Sequence, residues 1–235
     1  MNFDEVIAEL EEAGSEQTRK TYRRHGAPDP MFGVSCAIQI KLAKPLRGNQ
    51  QLAEELWASG NFDARWLACR IANPQQIKAG VLNSWLKCLD NGALSGALAE
   101  LAAKTPRAAQ FRANWIDLRN EWQCSAGWRL VAHAAVGNTL SQAEALPLLE
   151  RIEREIHTAP NCVRGSMNGA LIAIALVDKD CEEKAVAAAR RIGVVEVDHG
   201  DTCCKTPDAV THIAKCVAHR AKQASKRAEK RVAWC

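Results

Sequence analysis

The sequence predicts an all-α protein in which antiparallel helix pairs stack into an α-solenoid. Apolar residues recur at helical spacing, as in FDEVIAELEEA, where Phe3, Val6, Ile7 and Leu10 share one face. Each periodic segment runs for about 12 to 18 residues and is interrupted by Gly, Pro, Asn or Ser. Alanine is abundant and aromatic residues make up 5% of the chain, a composition that allows helices to pack closely.

Capping and breaking residues predict where individual helices begin and end. The helix in NQQLAEELWASG stops at Gly60, and the next begins after Asn61 and ends before Pro74. Another is predicted to open with Pro74 in its first turn and to close on Asn91-Gly92. GVVEV reads like a strand, and one strand cannot make a sheet. Further helices are predicted to start near Ala93, Pro106, Glu121, Ser141, Asn161 and Asp180.

The predicted helices come in pairs joined by short turns. Segments beginning near Asn61, Leu94, Trp122 and Asn161 each contain two helices, and their spacing of about 30 to 40 residues is typical of HEAT-type repeats. A short helix pair cannot bury its apolar face alone, which favours a HEAT-like solenoid with a concave face over the alternative, a compact bundle. We expect a single HEAT-like domain over residues 1–219 and a basic tail or helix extension over residues 220–235.

Composition excludes several classes of protein. Hydrophobic residues make up 47% and charged residues 25%, which argues against disorder of the whole chain. No apolar run approaches about 18 residues, so no membrane span is predicted. The acidic, amphipathic start lacks the features of a signal peptide, which predicts a cytoplasmic protein. The 10 cysteines contain no C-x-x-C motif and are interpreted as small buried hydrophobes in a reducing compartment.

Positive charge is concentrated at two places. The net charge is +4, and the stretches RKTYRRHG and KCVAHRAKQASKRAEKR are strongly basic. Two basic ends predict a polyanionic partner such as nucleic acid, and the alternative is a solvated terminal helix. The planar guanidinium of arginine suits phosphate because it binds two oxygens at once. The arginines at helix starts or on polar faces are Arg65, Arg112, Arg119, Arg129 and Arg164.

The stretch EVDHGDTCCKTPDA, residues 196–209, has three interpretations. A zinc site is disfavoured because adjacent cysteines diverge, whereas structural zinc sites space them by two to four residues. A cysteine nucleophile would need a positioned base, and His199 lies four residues before Cys203 in a predicted loop. The favoured interpretation is a tight turn leading into the last helix. We expect neither a metal ion nor a cofactor.

The end of this stretch predicts a helix start. Thr206 is the expected N-cap, Pro207 the first helical position and Asp208 part of the first turn. A helix N-terminus binds phosphate readily, so in a DNA-binding solenoid Lys205 and Thr206 are a predicted docking point for a backbone phosphate.

Three segments together resemble a known family. YRRHGAPDPMFGVSCAIQIKLAK, LAEELWASGNFDARWLACRIANP and NSWLKCLDN are similar to the DNA alkylation repair family, the AlkD-like DNA glycosylases. The match runs from about Tyr22 to His219 and keeps the order of Phe-Gly-Val, Glu-Leu-Trp and Ser-Trp with an acid five residues after the tryptophan. The resemblance implies a HEAT-like solenoid whose positively charged concave cleft holds duplex DNA. It also implies excision of cationic alkylated purines without pulling the base fully from the stack.

The resemblance assigns roles to particular positions. The family's carboxylate falls on Asp90, where it would stabilise the oxocarbenium-like transition state or activate water. The first of two adjacent tryptophans falls on Trp85, and the second falls on Leu86. Arg129 lies about one helical turn after the position of the cleft arginine. The remaining family positions, for the cleft arginine and the later tryptophan, fall near Cys124 or Ser125 and near Asn168 or Gly169.

These observations predict a DNA-repair protein that resembles alkylpurine DNA glycosylases. It would hydrolyse the N-glycosidic bond of cationic N3- or N7-alkylated purines in duplex DNA, with Asp90 as the catalytic residue. The alternative is a non-catalytic HEAT-like scaffold that binds DNA structures or a protein partner through the same face. We expect a monomer with no membrane contact. The predicted DNA-binding residues are Trp85, Arg65, Arg129, Arg164, Lys205 and Thr206.

Overall fold

A computed structural model describes the backbone of residues 1–232 and the side chains of residues 1–223 and 225. In this part of the chain the secondary structure consists of thirteen α-helices without any strand, so the all-α prediction is confirmed. None of the described helices has the length and apolar character needed to cross a membrane. The helices are α1 (Phe3–Glu12), α2 (Glu16–Arg24), α3 (Cys36–Leu46), α4 (Gln50–Ala58), α5 (Phe62–Ile71), α6 (Ala79–Lys87), α7 (Gly92–Ala102), α8 (Ala108–Trp115), α9 (Glu121–Val136), α10 (Gln142–Glu155), α11 (Asn161–Ile174), α12 (Lys179–Ile192) and α13 (Ala209–Val232).

The helices form two compact units. Unit 1 comprises Met1–Leu130 and Asp198–Cys204, and unit 2 comprises Val131–Val197 and the chain from Lys205 onward. In unit 1, α5 packs against its pair partner α4 and also against α3 and α7. In unit 2, α10 packs against α11 and α12, and α13 packs against α11 and α12. Contacts between each helix and its second neighbour are typical of stacked helical repeats.

The predicted division into a domain over residues 1–219 and a tail over residues 220–235 stays a prediction. Helix α13 runs through residue 220 without a break. The last three residues of the predicted tail lie outside the described backbone, as do most of the tail's side chains.

Helix α5 is the central helix of unit 1. Its residues Ala64, Leu67, Ala68 and Ile71 are fully buried, and the two alanines let neighbouring helices approach closely. Because four helices, α1, α3, α4 and α7, pack against α5, even its first-turn aspartate, Asp63, has no exposed surface. The core of unit 1 therefore encloses the first turn of α5, including Phe62, Asp63 and Ala64.

Two predicted helix boundaries are wrong because asparagine side chains accept backbone amide hydrogens that the prediction did not assign to them. The helix predicted to open at Pro74 begins at Ala79, since the Asn73 side chain accepts the amide hydrogen of Gln75 at 3.0 Å and holds a turn there. Asn91 was predicted to end that helix. It instead caps the next one, α7, accepting the amide hydrogen of Leu94 at 2.9 Å.

The Phe-Gly-Val step before α3 is anchored to Asp63. The amides of Phe32 and Gly33 donate to Oδ2 at 2.8 and 2.9 Å, and the amide of Val34 donates to Oδ1 at 3.0 Å. The Gln39 side-chain amide donates to Oδ1 at 2.9 Å. Burial raises the pKa of Asp63, while the backbone N–H groups act in the opposite direction. Asp63 therefore joins α5 to the loop before α3 and, through Gln39, to α3 itself.

The same loop requires glycine at its centre. Gly33 has φ +78°, and a Cβ atom there would lie 2.6 Å from the carbonyl oxygen of Ser15. Arg19 Nη1 donates to the carbonyl oxygen of Phe32 at 3.0 Å, and the Tyr22 hydroxyl donates to that of Val34 at 2.7 Å. Helix α2 is thus fastened to the loop from the other side.

Titration of Tyr22 tests this packing. Burial raises the pKa of Tyr22 to about 12, and the charge of Asp63 contributes to the rise. Because the pKa is higher in the folded state, the stabilisation that the protonated Tyr22 hydroxyl provides is fully present below about pH 10. It is lost as the pH rises from about 10 towards 12. Because the chain has one tyrosine, tyrosinate absorbance reports Tyr22 alone.

We expect a midpoint near pH 12 for the native protein and about 10 for the denatured chain. Tyr22→Phe is the control, since it keeps the ring that lies 5.3 Å from Phe62 and removes the titrating group. A native midpoint equal to the denatured one would contradict the buried hydrogen bond.

Candidate nucleic-acid interface

Four side chains from the ends of neighbouring helices form a ladder in unit 1. The rings of Trp85 and Trp57 are stacked, with centroids 4.5 Å apart and planes at 5°. The guanidinium of Arg65 lies over Trp57 at 5.4 Å from the ring centroid. Arg65 Nη1 is 3.9 Å from Asp90 Oδ2. The order Trp85, Trp57, Arg65, Asp90, called the tryptophan–arginine ladder below, leads from the core to the surface.

The turn between α4 and α5 places Arg65 on this ladder. Gly60, with φ +75°, reverses the chain after α4, and Asn61 caps α5 by accepting the amide hydrogens of Asp63 and Ala64. Arg65 Nε then donates to the carbonyl oxygen of Trp57 at 3.3 Å. The same carbonyl also accepts the amide hydrogen of Gly60 at 3.3 Å, so Arg65 bonds an oxygen that the turn already holds in place.

Asp90 lies in the short link between α6 and α7. The sequence placed it at the end of a helix, but α6 ends at Lys87, and Asp90 is two residues before Gly92, the first residue of α7. There the partial positive charge of a helix N-terminus favours a carboxylate. Its Oδ1 accepts the side-chain amide hydrogen of Asn91 at 2.7 Å, and its side chain is 45% exposed.

The Arg65–Asp90 pair leaves Arg65 able to bind a ligand. Its separation of 3.9 Å exceeds hydrogen-bond length, so the two charges attract without a shared proton. Among the described residues, the one hydrogen bond of Arg65 is that from Nε to Trp57. The four Nη hydrogens of the guanidinium are therefore available to an anion.

Trp85 is the buried end of this ladder. Trp85 and Trp57 are only 4% and 5% exposed, so neither ring offers a free face to a ligand. The predicted DNA-binding role of Trp85 stays a prediction, and the geometry gives it an indirect form, in which the stacked rings hold Arg65 in place.

Arg129 lies on α9 against α7. A Cβ atom at Gly96 would be 3.2 Å from its Nη1, so the guanidinium uses the space left by a glycine. Its Nε is buried and donates to no atom of the described residues. Within the same part of the chain, no hydrogen bond or ion pair connects Arg129 to Asp90. Its predicted contact with DNA stays a prediction.

In unit 2, Arg164 holds two loops together. Its Nε donates to the carbonyl oxygen of Ala159 at 2.9 Å, and its Nη1 donates to that of Glu196 at 3.0 Å. These bonds tie the start of α11 to the extended segment after α12. Two of the five donors of Arg164 are thus used inside the protein, and its role in DNA binding stays a prediction.

The predicted N-cap of the last helix is wrong. Helix α13 begins at Ala209, and Asp208 caps it by accepting the amide hydrogen of Thr211 at 2.8 Å. A hydrogen bond from the Thr211 side chain, together with this one from its backbone, holds the pKa of Asp208 below its usual value. A carboxylate therefore occupies the helix N-terminus that was predicted to bind phosphate. Lys205 and Thr206 lie before the cap, and their contact with DNA stays a prediction.

Residues 198–202 form the tight turn predicted for this stretch. Asp198 Oδ1 accepts the amide hydrogen of Gly200 at 2.8 Å, and the Thr202 hydroxyl donates to the carbonyl oxygen of His199 at 2.9 Å. Among the described residues, no group of three histidine, cysteine or acidic side chains is arranged to hold a metal ion.

Unit 2 also contains a basic groove along α13 that motif reasoning did not locate. Its volume is about 740 Å³, and its lining includes no acidic side chain among the described residues. Arg220, one of its lining residues, donates to the carbonyl oxygen of Leu176 and to Oδ1 of Asn138. The basic run of α13 indicated this groove in the sequence. The rest of its lining comes from distant segments, at the ends of α9 and α11. The lining residues are Val136, Asn138, Leu176, Lys215, Cys216, His219, Arg220 and Gln223.

Comparison with known proteins identifies the family. The DNA alkylation repair enzyme family matches residues 6–213, and the chain belongs to this family. Two uncharacterised proteins, from Listeria innocua and Listeria monocytogenes, are each 32% identical over 221 residues, which is 92% of this chain and 97% of theirs.

A solved structure confirms the HEAT-like fold. It represents a new family of proteins related to the HEAT-like repeat DNA glycosylases with affinity for branched DNA structures. It is 31% identical to this chain, with a TM-score of 0.85 over 93% of this chain and 95% of its own. The concave basic groove that the sequence predicted stays a prediction.

Proposed function

We propose that this protein acts in DNA repair by binding branched DNA through its phosphates. The observation that carries the proposal is the tryptophan–arginine ladder, which presents Arg65 beside Asp90 at the position where the resemblance places the family carboxylate. Family membership and the branched-DNA affinity of the structural neighbour support it. The cytoplasmic location and the monomeric state stay predictions.

The ladder suits phosphate binding because Arg65 is held before the ligand arrives. The Trp57 ring supports the guanidinium, and the hydrogen bond from Nε to the Trp57 carbonyl restricts its rotation. Ordering the side chain in advance reduces the entropy lost on binding. Asp90 weakens the local positive field, so tight binding requires further phosphate contacts elsewhere on the protein.

The groove along α13 in unit 2 has, by itself, a chemistry that suits a DNA branch point. Lys215 and Arg220 provide charge for phosphates. Val136, 59% exposed, and Leu176 provide an apolar wall. At a branch point, bases lose stacking partners, and their faces pack against apolar surfaces. An opened junction presents both phosphates and unstacked base faces, whereas an uninterrupted duplex presents its phosphates and keeps its bases stacked. Cations beside an apolar wall therefore match the junction better.

Binding to a three-way junction tests the proposal. The wild-type protein should bind a labelled junction more tightly than a duplex of equal length, and affinity should fall steeply as salt rises. Arg65→Ala should lower junction affinity about tenfold, because alanine cannot donate charge-assisted hydrogen bonds to a phosphate. Fluorescence anisotropy across a salt series measures both effects.

The matched control is Lys179→Ala. Lys179 is an exposed cation that is 72% accessible and pairs with Glu182 on α12, so its removal changes the net charge equally. Equal decreases in affinity for Arg65→Ala and Lys179→Ala would show that the loss of affinity comes from the change in net charge and not from a specific contact of Arg65. Equal wild-type affinity for junction and duplex would refute recognition of branched DNA.

A second candidate function is the glycosylase predicted from the resemblance. The observation that favours it is the 45% exposure of Asp90, which leaves the carboxylate accessible to a sugar. In this reaction water replaces the cationic N3- or N7-alkylated purine at the sugar carbon, and the carboxylate stabilises the positive charge that develops there. Release of the base from duplex DNA by the wild type, and its absence in Asp90→Asn, would establish this activity.

A further inference from the structure

A second cationic pocket lies in unit 1, at the carboxyl ends of α3, α5 and α7. Its volume is about 300 Å³. Arg65 and Arg70 both belong to α5, but five residues separate them, which corresponds to about 7.5 Å along the helix and about 140° around it. The pocket at Arg70 therefore faces another direction than the tryptophan–arginine ladder. Its charged and rim residues are Ile40, Arg47, Arg70, Glu100 and Lys104.

Positive charge exceeds negative charge in this pocket. The lining contains three cations and one carboxylate, and two of the cations contact it, with Lys104 Nζ 2.9 Å and Arg70 Nη2 3.7 Å from Glu100. Arg47 is exposed and makes no ion pair or hydrogen bond with the described residues. With Glu100 counted against Arg47, Arg70 and Lys104, the lining keeps a net charge of about +2.

Arg70 is positioned like the arginine of the ladder. Its guanidinium stacks on Trp66 at 3.7 Å from the ring centroid, which fixes the plane of the group. Its Nε is buried and has no hydrogen-bond partner in the described chain. The contact between Arg70 and Glu100 is longer than a hydrogen bond. The Nη groups of Arg70 can therefore bind a phosphate without breaking a hydrogen bond to Glu100.

Helix ends alone do not account for this arrangement. The negative ends of three helices attract one cation each, and this explains why basic residues are found there. It does not explain a concave pocket between them, nor Ile40 at its rim with 38% of its surface exposed. A recess of cations with an apolar rim matches the deoxyribose-phosphate backbone, in which charged phosphates alternate with apolar sugars.

We propose that this pocket binds the backbone of a second duplex arm, while the ladder contacts the first. This inference rests on the proposed function, since only a branched DNA supplies two arms that leave a common point in different directions. Arg47, Arg70 and Lys104 bind the phosphates, and Ile40 contacts the sugar. A plain duplex engages the ladder and leaves the pocket free.

The experiment compares one double variant on two DNAs. Arg47→Ala combined with Lys104→Ala removes two cations without disturbing the Arg70–Trp66 stack. Lys179→Ala combined with Lys184→Ala removes two exposed lysines from α12 and is the matched control. Affinities for a three-way junction and for a duplex sharing one strand are measured by anisotropy at several salt concentrations.

We expect the pocket variant to bind the junction about tenfold more weakly and the duplex less than about twofold more weakly. Its salt slope on the junction should fall by about two, because each of the two cations neutralises about one phosphate. An unchanged junction affinity, or equal decreases on both DNAs, would overturn the second-arm proposal while leaving junction recognition intact. A wild type that does not prefer the junction would overturn the proposed function first.

A free anion is the other source of the same chemistry. Calorimetry with inorganic phosphate distinguishes it. Heat of binding that disappears in the pocket variant, together with unchanged junction affinity, would assign the pocket to a small anion and refute its role in DNA binding.

Discussion

Replacing Asp63 with alanine should lower the free energy of unfolding by about 3 to 5 kcal/mol, a large part of the total stability of a typical domain. Four N–H groups donate to this carboxyl group, three of them from the backbone of Phe32, Gly33 and Val34. Alanine supplies no acceptor, and the fully buried site admits water only if the loop moves. Each buried donor left without a partner costs about 1 to 3 kcal/mol.

Asp63→Asn should be intermediate, with a decrease of about 2 kcal/mol in the free energy of unfolding. The two carboxyl oxygens each accept two hydrogen bonds, so an amide satisfies one pair of donors and turns its own NH₂ towards the other. The order alanine, asparagine, wild type is therefore a specific consequence of the geometry, whereas a change in packing volume alone would make asparagine nearly neutral.

Urea unfolding followed by tryptophan fluorescence measures these values. Six of the seven tryptophans lie between Trp57 and Trp128, so the signal reports unit 1. Asp201→Ala is the control, because Asp201 is exposed and should change stability by less than about 0.5 kcal/mol. A decrease below about 1 kcal/mol for Asp63→Ala would show that the loop is not anchored as described.

The fold was predictable because its causes are local. Helical spacing of apolar residues and the cap at Asn61 are properties of short segments, and the structure agrees with both. The errors at Pro74, Asn91 and Thr206 share one cause. In each case a polar side chain accepts a backbone amide hydrogen and so sets the boundary, and these side chains are those of Asn73, Asn91 and Asp208. Several adjacent residues have side chains that could accept the same hydrogen bond, so the sequence does not specify which one does.

The site was less predictable because it depends on contacts between distant segments. The sequence singled out Arg65, Trp85 and Asp90 separately, and no pattern indicated that Trp57 would lie between Trp85 and Arg65. No pattern in the sequence singled out Asp63, although its burial makes it the anchor of the Phe-Gly-Val step. Burial and stacking follow from how helices pack, which spacing along one chain does not specify.

Asp90→Asn should change DNA binding in the direction opposite to Arg65→Ala. Asp90 places a negative charge 3.9 Å from Arg65, where it repels an incoming phosphate and attracts the guanidinium. Asparagine keeps the size and an acceptor for the Asn91 amide at 2.7 Å, but removes the charge. Removing one such charge at about 6 Å from a phosphate should tighten junction binding about threefold to tenfold, most strongly at low salt.

Asp201→Asn is the matched control, since it makes the same substitution at an exposed aspartate outside the tryptophan–arginine ladder. The measurement pairs anisotropy on the three-way junction with release of N7-methylguanine and N3-methyladenine from alkylated duplex DNA. Tighter binding by Asp90→Asn, with no base release by either protein, would establish Asp90 as a charge that tunes Arg65. Unchanged binding combined with base release that Asp90→Asn abolishes would instead identify the family's catalytic carboxylate.

These two outcomes cannot be confused, because they depend on different states of the DNA. A tuning charge acts on the ground-state phosphate and therefore changes affinity. A catalytic carboxylate acts on positive charge that develops at the sugar, so its removal slows the reaction and leaves binding to undamaged DNA nearly unchanged. Leu86 stands where the resemblance expects a second tryptophan, which removes one aromatic wall from the base site. With that wall absent and Arg65 adjacent to the carboxylate, the geometry favours tighter binding as the result for Asp90→Asn.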